Sequence, residues 1–484
     1  MKQNQAGIQI SRKSFFSSVI ILLLLMLAAG ILTLVVPAGQ FERALTDGRE
    51  TIVPGSFKLI SGVQYPIWRW FTAPFEALWS KDAQTLWVIL FFLLFIGGTF
   101  TILDKGGILR YSMETLVRRF GEQKYRLLVF MVLGFMLFGA VIGSFEEMIA
   151  LVPLAITLAI SLGWDSLIGL GMSLLASGFG FAAAITNPFT VSVAQKLAGL
   201  PAFSGVFYRV FVFIVIYAML SVFLTRYAKK VEKDPQHSLV YQEDAPLRVK
   251  YAGRALRMGE VKPRVKQAAQ VFGYFMLFIL LIIFAGLFLP SLAAVSLPII
   301  AVTFLVGGLV AGSRTGYASI SMLFKDLLTG FAGILPAILL IMMAMSIKHI
   351  MTSGKTMDTI LHYASQRLSG MSPYLAGVSI YALILLLEFF ISSGSAKAFL
   401  VIPIIAPLVD MVGLTRQSAV LAFCFGDGFS NVLFPTNAAL MIALGLTAVS
   451  YPKWFRWTIG LQLAVFAVTL LLLFGAIAMG YGPF

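Results

Sequence analysis

The chain has 484 residues, of which 59% are apolar and only 12% charged, against about 25% charged in an ordinary soluble domain. That balance excludes a disordered chain and an ordinary cytosolic enzyme. A single cysteine, Cys424, excludes an internal disulfide or a Cys-based metal centre, and three histidines (His237, His349, His362) leave little for a transition metal. The net charge of +15 would suggest nucleic acid in a soluble protein, but here the basic residues lie between apolar runs, where they set membrane orientation instead.

In chain order, apolar runs long enough or nearly long enough to cross a bilayer occupy 15–36, 85–103, 126–142, 146–161, 167–184, 206–227, 270–289, 295–312, 332–350, 373–391, 398–412, 417–433 and 457–480. The first follows Lys2, Arg12 and Lys13, but it is too long for a signal-peptide core and reads as a retained helix. The loop 37–84 is mixed in charge and rich in Pro and Trp; Trp68, Trp70, Trp79 and Trp87 suit an interfacial belt on the outer face. Six Lys/Arg in 105–126 and ten in 229–266 place both segments, and the N-terminus, in the cytoplasm. Gly97-Gly98 and Gly307-Gly308 suit close helix packing, and Lys348 and His349 an interfacial helix end.

An offset of 250 residues superimposes Pro153 on Pro403, Gly163 on Gly413, Gly178-Phe179 on Gly428-Phe429 and Thr186-Asn187 on Thr436-Asn437; at a neighbouring offset Gly143-Ser144 meets Gly394-Ser395. These residues shape backbone, and their order is kept. An odd number of crossings separates the copies, so the repeats are inverted. The expected fold is an all-α polytopic membrane protein with two re-entrant hairpins and two broken helices. Its expected parts are a first helix and outer loop (1–84), a first repeat (85–228, hairpin 124–161), a basic linker (229–269), scaffold helices (270–331) and a second repeat (332–484, hairpin 372–412). Surface helices are expected at 107–120 and 357–369.

Four polar interruptions mark the expected hairpin tips and helix breaks: Gly143-Ser144-Phe145-Glu146-Glu147, Ala184-Ile185-Thr186-Asn187-Pro188, Ser392-Ser393-Gly394-Ser395-Ala396-Lys397 and Leu433-Phe434-Pro435-Thr436-Asn437. Pro188 and Pro435 deny the helix a hydrogen bond. Broken backbone at membrane depth exposes helix ends, whose N-termini attract anions and whose carbonyls, with Ser, Thr and Asn oxygens, suit a hard cation such as Na⁺. The candidate binding residues are Ser144, Glu146, Glu147, Thr186, Asn187, Ser393, Gly394, Ser395, Lys397, Asp427, Thr436 and Asn437, with Gly143, Pro188 and Pro435 shaping the breaks. Glu388 interrupts an otherwise apolar run. Intramembrane ionisable groups are costly and default to function; the alternative is mutual neutralisation. The repeat alignment places Glu147 opposite Lys397, where they could pair. No Walker loop, nucleophile elbow or zinc motif is present in the sequence, and no metal beyond Na⁺ and no other cofactor is expected.

These motifs carry a resemblance. Glu146-Glu147, Asn187-Pro188-Phe189, Val193-Ala194-Gln195, Ala198-Gly199-Leu200-Pro201, Ser393-Gly394-Ser395, and Phe425-Gly426-Asp427-Gly428-Phe429-Ser430 with Pro435-Thr436 resemble the YfcC-type branch of the C4-dicarboxylate anaerobic carrier (DcuC-like) family of the ion-transporter superfamily. The resemblance spans nearly the whole chain. It implies an inverted-repeat carrier of the bacterial cytoplasmic membrane, a homodimer with scaffold and transport domains, and an elevator motion. The leading expectation is a secondary transporter of a small carboxylate-bearing solute, a dicarboxylate or an amino acid, coupled to Na⁺ or H⁺ or working by exchange. It leans toward an anionic solute because Lys397 adds positive charge beside many neutral oxygens. The alternative is a basic amino acid antiporter; an intramembrane enzyme or a channel stands further off.

Overall fold

A computed structural model describes residues 12–46, 49–62, 65–80, 83–251, 263–286, 289, 292, 295–317, 319–368 and 370–482. Lys2 and the middle of the basic linker, 252–262, lie outside the described residues. Helix α1 (Arg12–Val35) leads into a loop containing two short antiparallel pairs, β1 (Gly39–Gln40) with β4 (Lys58–Leu59) and β2 (Arg43–Thr46) with β3 (Arg49–Ile52). Helix α2 (Ile67–Glu76) closes the loop, and α3 (Ala83–Lys105), α4 (Ile108–Phe120) and α5 (Lys124–Leu137) follow. Then come α6 (Val152–Ser161), α7 (Ser166–Leu170), α8 (Ala176–Ala183), α9 (Val191–Leu197) and α10 (Val206–Lys233). The linker holds α11 (Ala245–Tyr251), and α12 (Pro263–Gly286) and α13 (Ser296–Arg314) lead to the second half. That half comprises α14 (Ile320–Ser353), α15 (Met357–Gln366), α16 (Pro373–Glu388), α17 (Gly394–Met411), α18 (Arg416–Gly428), α19 (Ala438–Gly445) and α20 (Tyr451–Ala478). Ten helices among the described residues are long and apolar enough to cross a membrane.

Positions paired by the 250-residue offset can be compared directly in the two halves. In both halves a glycine of positive φ, Gly163 at +89° and Gly413 at +70°, ends a hairpin leg. The next helix is then capped by a side chain, Asp165 accepting from Ile168 N and Thr415 from Ser418 N. Such caps satisfy donors that the first helical turn leaves free. The halves meet through glycine-lined seams. A Cβ on Gly97 would lie 2.2 Å from Ile334, and one on Gly330 2.6 Å from Gly97 O, so α3 and α14 pack backbone to backbone. Gly308 likewise admits Thr99, and Gly307 admits Phe275. The glycine pairs therefore serve packing, as read from the sequence.

Several sequence expectations are revised. The helix predicted at 332–350 begins at Ile320, so His349 lies within it, and its ring faces Glu76 at 3.4 Å. The surface helix expected over 357–369 ends at Gln366, and the run at 398–412 begins at Gly394. Trp70 is not interfacial: it is buried on Gly30, whose missing side chain leaves room for the indole, whereas Trp68, Trp79 and Trp87 are exposed.

The loop after α1 straps the second half. Asp358 of α15 accepts from Phe41 N (3.0 Å) and pairs with Arg43 (2.9 Å), and Gly39 N donates to Lys355 O. In α2, burial raises the Glu76 carboxyl, but hydrogen bonds from Arg69, Thr72 and His349 outweigh it and hold the group at about 2. The linker is anchored as firmly. Asp165 accepts from Tyr227 Oη (2.8 Å) and Ser238 Oγ (2.7 Å), while Asp244 accepts from Ser166 N (2.7 Å) and Ser166 Oγ (2.5 Å). Burial pushes the Asp244 carboxyl up to about 7.

Candidate functional site at two hairpin tips and two helix breaks

At the first tip, α5 loosens into a π turn over Phe138–Ile142, and Gly143 reverses the chain at φ +74°. The loosened turn leaves carbonyls free, and the first break supplies their donors. Thr186 N and Asn187 N both donate to Ala140 O (3.1 Å each), and Thr186 Oγ1 donates to Val141 O (3.1 Å). Buried Asn187 spans its own break, donating from Nδ2 to Phe181 O (3.2 Å) and accepting from Phe189 N (2.9 Å). A Cβ on Gly143 would lie 2.5 Å from Asn187 Oδ1, so only glycine fits there. Ser144 is buried beside it. Pro188 lies in the non-helical stretch, and Ala184 enters it at φ +46°. The two tip carboxylates diverge. Glu146 is exposed, whereas Glu147 is half-buried and accepts from Ser296 Oγ at the start of α13 (2.7 Å).

The second tip is built differently. Ser392 and Ser393 form the reversal, and Ser393 Oγ caps α17 by accepting from Ala396 N. Gly394 and Ser395 fall in the first helical turn, and Lys397 follows them inward. Glu388 ends α16 just before the reversal, so the turn brings it face to face with Lys397. Asp427 arrives from α18, which packs against both legs of this hairpin. Lys397 Nζ lies 2.7 Å from Asp427 Oδ1 and pairs with Glu388 Oε2, and all three side chains are fully buried. A Cβ on Gly394 would lie 2.7 Å from Thr190 Cγ2 and 2.9 Å from Asp427 Oδ2. The second tip thus touches the end of the first break as well as α18.

At the second break, Asn437 caps α19 by accepting from Leu440 N (3.2 Å) and donates from its amide to Asn431 Oδ1 (2.6 Å). Carbonyls freed nearby are taken by α20, Trp454 Nε1 donating to Val432 O (2.7 Å) and Tyr451 Oη to Leu433 O (3.0 Å). Pro435 lies in the non-helical stretch, and the half-buried Thr436 hydroxyl has no hydrogen-bond partner among the described residues. Phe434 stacks edge-on against Phe389 beside the second tip (5.5 Å between centroids). The broken helices cross where Gly428 meets Ala182 and Phe179 meets Phe429. All four interruptions therefore gather in one region.

The possible Glu147–Lys397 pair is not formed: Lys397 is held by Glu388 and Asp427, and Glu147 by Ser296. The positive charge that favoured an anionic solute is therefore already enclosed by two carboxylates. The sequence reading left Glu388 outside its candidate set, although Glu388 and Lys397 flank one reversal at similar distances, which was the available signal. It also missed Arg209. This fully buried guanidinium donates to Ile185 O at the first break (3.1 Å), to Ser204 O (2.7 Å) and to Tyr481 Oη (3.3 Å). It has no carboxylate partner among the described residues. It lies inside the apolar run 206–227, which reads only as a crossing helix. Among the described residues no group of His, Cys, Asp and Glu could hold a metal ion.

An all-α chain with this many apolar helices, and with buried charge gathered at their interruptions, is a multi-pass membrane transporter. It belongs to the C4-dicarboxylate anaerobic carrier (DcuC) family, whose model matches residues 15–478. A protein of Escherichia coli (strain K12) named "Putative basic amino acid antiporter YfcC" is 30% identical over 93% of this chain and 94% of its own length. An uncharacterised protein of Haemophilus influenzae is 25% identical over 76% of this chain and 71% of its own. The solved YdaH transporter of Alcanivorax borkumensis aligns with 97% of this chain and 100% of its own at 15% identity and a TM-score of 0.42. The MtrF efflux pump of Neisseria gonorrhoeae aligns with 95% of this chain and 94% of its own at 16% identity and a TM-score of 0.39. Likeness at that level decides neither topology nor substrate.

Proposed function

We propose that the chain is a secondary carrier that exchanges amino acids with basic side chains across the bacterial cytoplasmic membrane. The observation that carries this reading is the charge balance of the gathered tips. Glu388 and Asp427 enclose one ammonium, Lys397, and with Glu146 and Glu147 at the other tip four carboxylates stand against Lys397 and Arg209, so the region is short of positive charge. A basic side chain supplies it. The α-carboxylate of the same solute suits the N-terminal ends of α17 and α19, where Ser393 and Asn437 sit. The name of the Escherichia coli relative points the same way. In this reading the two halves are inverted repeats with re-entrant hairpins and the N-terminus is cytoplasmic. The carrier is a homodimer, and the hairpins and broken helices move as an elevator against the remaining helices. Leg length supports the re-entrant form at α16, whose 16 residues give about 24 Å, short of a hydrocarbon core of about 30 Å. The test is counterflow in proteoliposomes: labelled arginine should enter against a load of ornithine with no Na⁺ or pH gradient imposed.

A dicarboxylate is the second reading, favoured by the description of the family. Uptake of labelled fumarate or succinate, with no response to arginine, would replace the first reading with it.

A further inference from the structure

We infer that Glu388, Lys397 and Asp427 form a single-cation exchange site in which a proton and the ammonium or guanidinium of the solute compete for one uncompensated negative charge. The inference rests on the basic-solute reading above and assigns to that site its coupling ion and a member, Glu388. Two carboxylates and one ammonium sum to −1, and all three side chains are fully buried. An unbalanced charge at that depth is costly, and one further positive charge removes the cost. Glu388 Oε1 and Asp427 Oδ2, the oxygens that do not contact Lys397, have no hydrogen-bond donor among the described residues, and neither does Thr190 Oγ1 across Gly394. Unsatisfied acceptors are therefore at hand for an O–H or an N–H donor.

Among the described residues no ion pair other than that of Lys397 reaches the two carboxylates, and Lys196 of α9, which packs against α17 and α18, is exposed. On α18, Cys424 lies one turn before Asp427 and is buried. Tyr381 of α16 shares a hydrogen bond with Thr469 of α20. Arg209 of α10 keeps its charge, but Nε and Nη1 donate to two carbonyls and Tyr481 and it pairs with neither Glu388 nor Asp427. Toward the far ends of α17 and α18, Asp410 and Arg416 pair with each other, and Arg43 of β2, on the strap beside α17, pairs with Asp358 of α15. Helix α8 carries no ionisable group. The unbalanced charge sits on carboxylates, which a proton neutralises directly, and that makes the proton the competitor of the solute cation.

In the cycle this implies, the carrier reaches one face with a proton on Glu388 or Asp427 and Lys397 held by the other carboxylate. Solute binding expels that proton to water on the same side, and the solute cation takes its place. Release on the opposite face lets a proton return. No covalent bond of the solute changes.

The test uses the purified full-length carrier titrated calorimetrically with L-arginine in buffers of different ionisation enthalpy. About one proton should leave per arginine bound, and on the acid side the affinity should fall about tenfold per pH unit. Glu388→Gln leaves Lys397 and Asp427 neutral together, so binding should weaken and proton release should vanish. Glu388→Gln with Lys397→Gln restores the charge of −1 on Asp427 alone and should recover both, a rescue that a merely structural triad would not give. Arginine binding without proton release, or a double variant no better than the single, overturns the inference. pH-difference infrared spectra of the solute-free protein give an independent readout, a protonated-carboxyl band lost in Glu388→Gln. That band in a carrier that binds no arginine supports the proton site and overturns only the basic-solute reading; no such band overturns the site.

Discussion

The two tips, one in each half of the chain, are held by opposite chemistry. The first is fixed by uncharged backbone: carbonyls of a π turn meet the amide donors of the neighbouring break, and its carboxylates point elsewhere. The second is fixed by charge, one ammonium between two carboxylates from different helices. A backbone lock has the same strength whether or not an ion is present. An ionic lock responds to any cation that reaches it. The first tip is thus the rigid one of the pair and the second the one a solute or proton can loosen.

The largest test of that contrast is Lys397→Met. It leaves two buried carboxylates without a partner and should cost about 3–5 kcal/mol, read as a steep loss of thermal stability in purified protein. Glu147→Gln at the first tip removes only one charged acceptor from Ser296 and should cost about 1 kcal/mol; equal losses would erase the distinction. Next is Asn187→Ala, which strips the amide that spans the first break. It should destabilise by about 1–3 kcal/mol and cripple uptake while protein remains in the membrane. Wild-type uptake would mean that the residue only braces the break. Gly143→Ala forces a side chain to φ +74° and toward Asn187, at about 1–3 kcal/mol. Gly394→Ala, at an ordinary helical position, should instead disturb Asp427 and so alter pH dependence more than stability.

The smallest expected effect lies at the linker. Burial raises the Asp244 carboxyl to about 7, above its unfolded value of about 3.9. A raised folded value means that the stabilisation linked to protonation is complete below the unfolded value and is lost as pH rises through about 7. Asp244→Asn should therefore melt higher than the parent above neutral pH, the gap closing in acid. A gap independent of pH would place the effect in packing instead.

The backbone plan was legible because it is written in residues with strong local rules. Pro188 and Pro435 forbid helix, Gly163 and Gly413 permit the reversal, and Thr-Asn pairs repeat at matching places. That is how the positions of the tips and breaks could be read. What stayed hidden is partner choice. The alignment offered Lys397 only Glu147, and it is the packing of α18 against both legs of the second hairpin that brings Asp427 to it. Trp70 shows the same limit: nothing local marks it as buried, because the room it fills is made by Gly30 of another helix.

The seam between α3 and α14 bears on how the chain is made. The glycine face of α3 at Gly97 and Gly98 is closed by Gly330, Phe331 and Ile334, about 230 residues later in the sequence. At ribosomal speeds of about 5–20 residues per second, that face waits roughly 10–50 s for its partner. During biogenesis the first half must therefore rest in the bilayer with this groove covered by lipid, by α13 through Thr99 and Gly308, or by an insertion factor. A chain truncated before α14 would keep the groove open, and quality-control proteases of the membrane should clear it faster than any single-site variant of the tips.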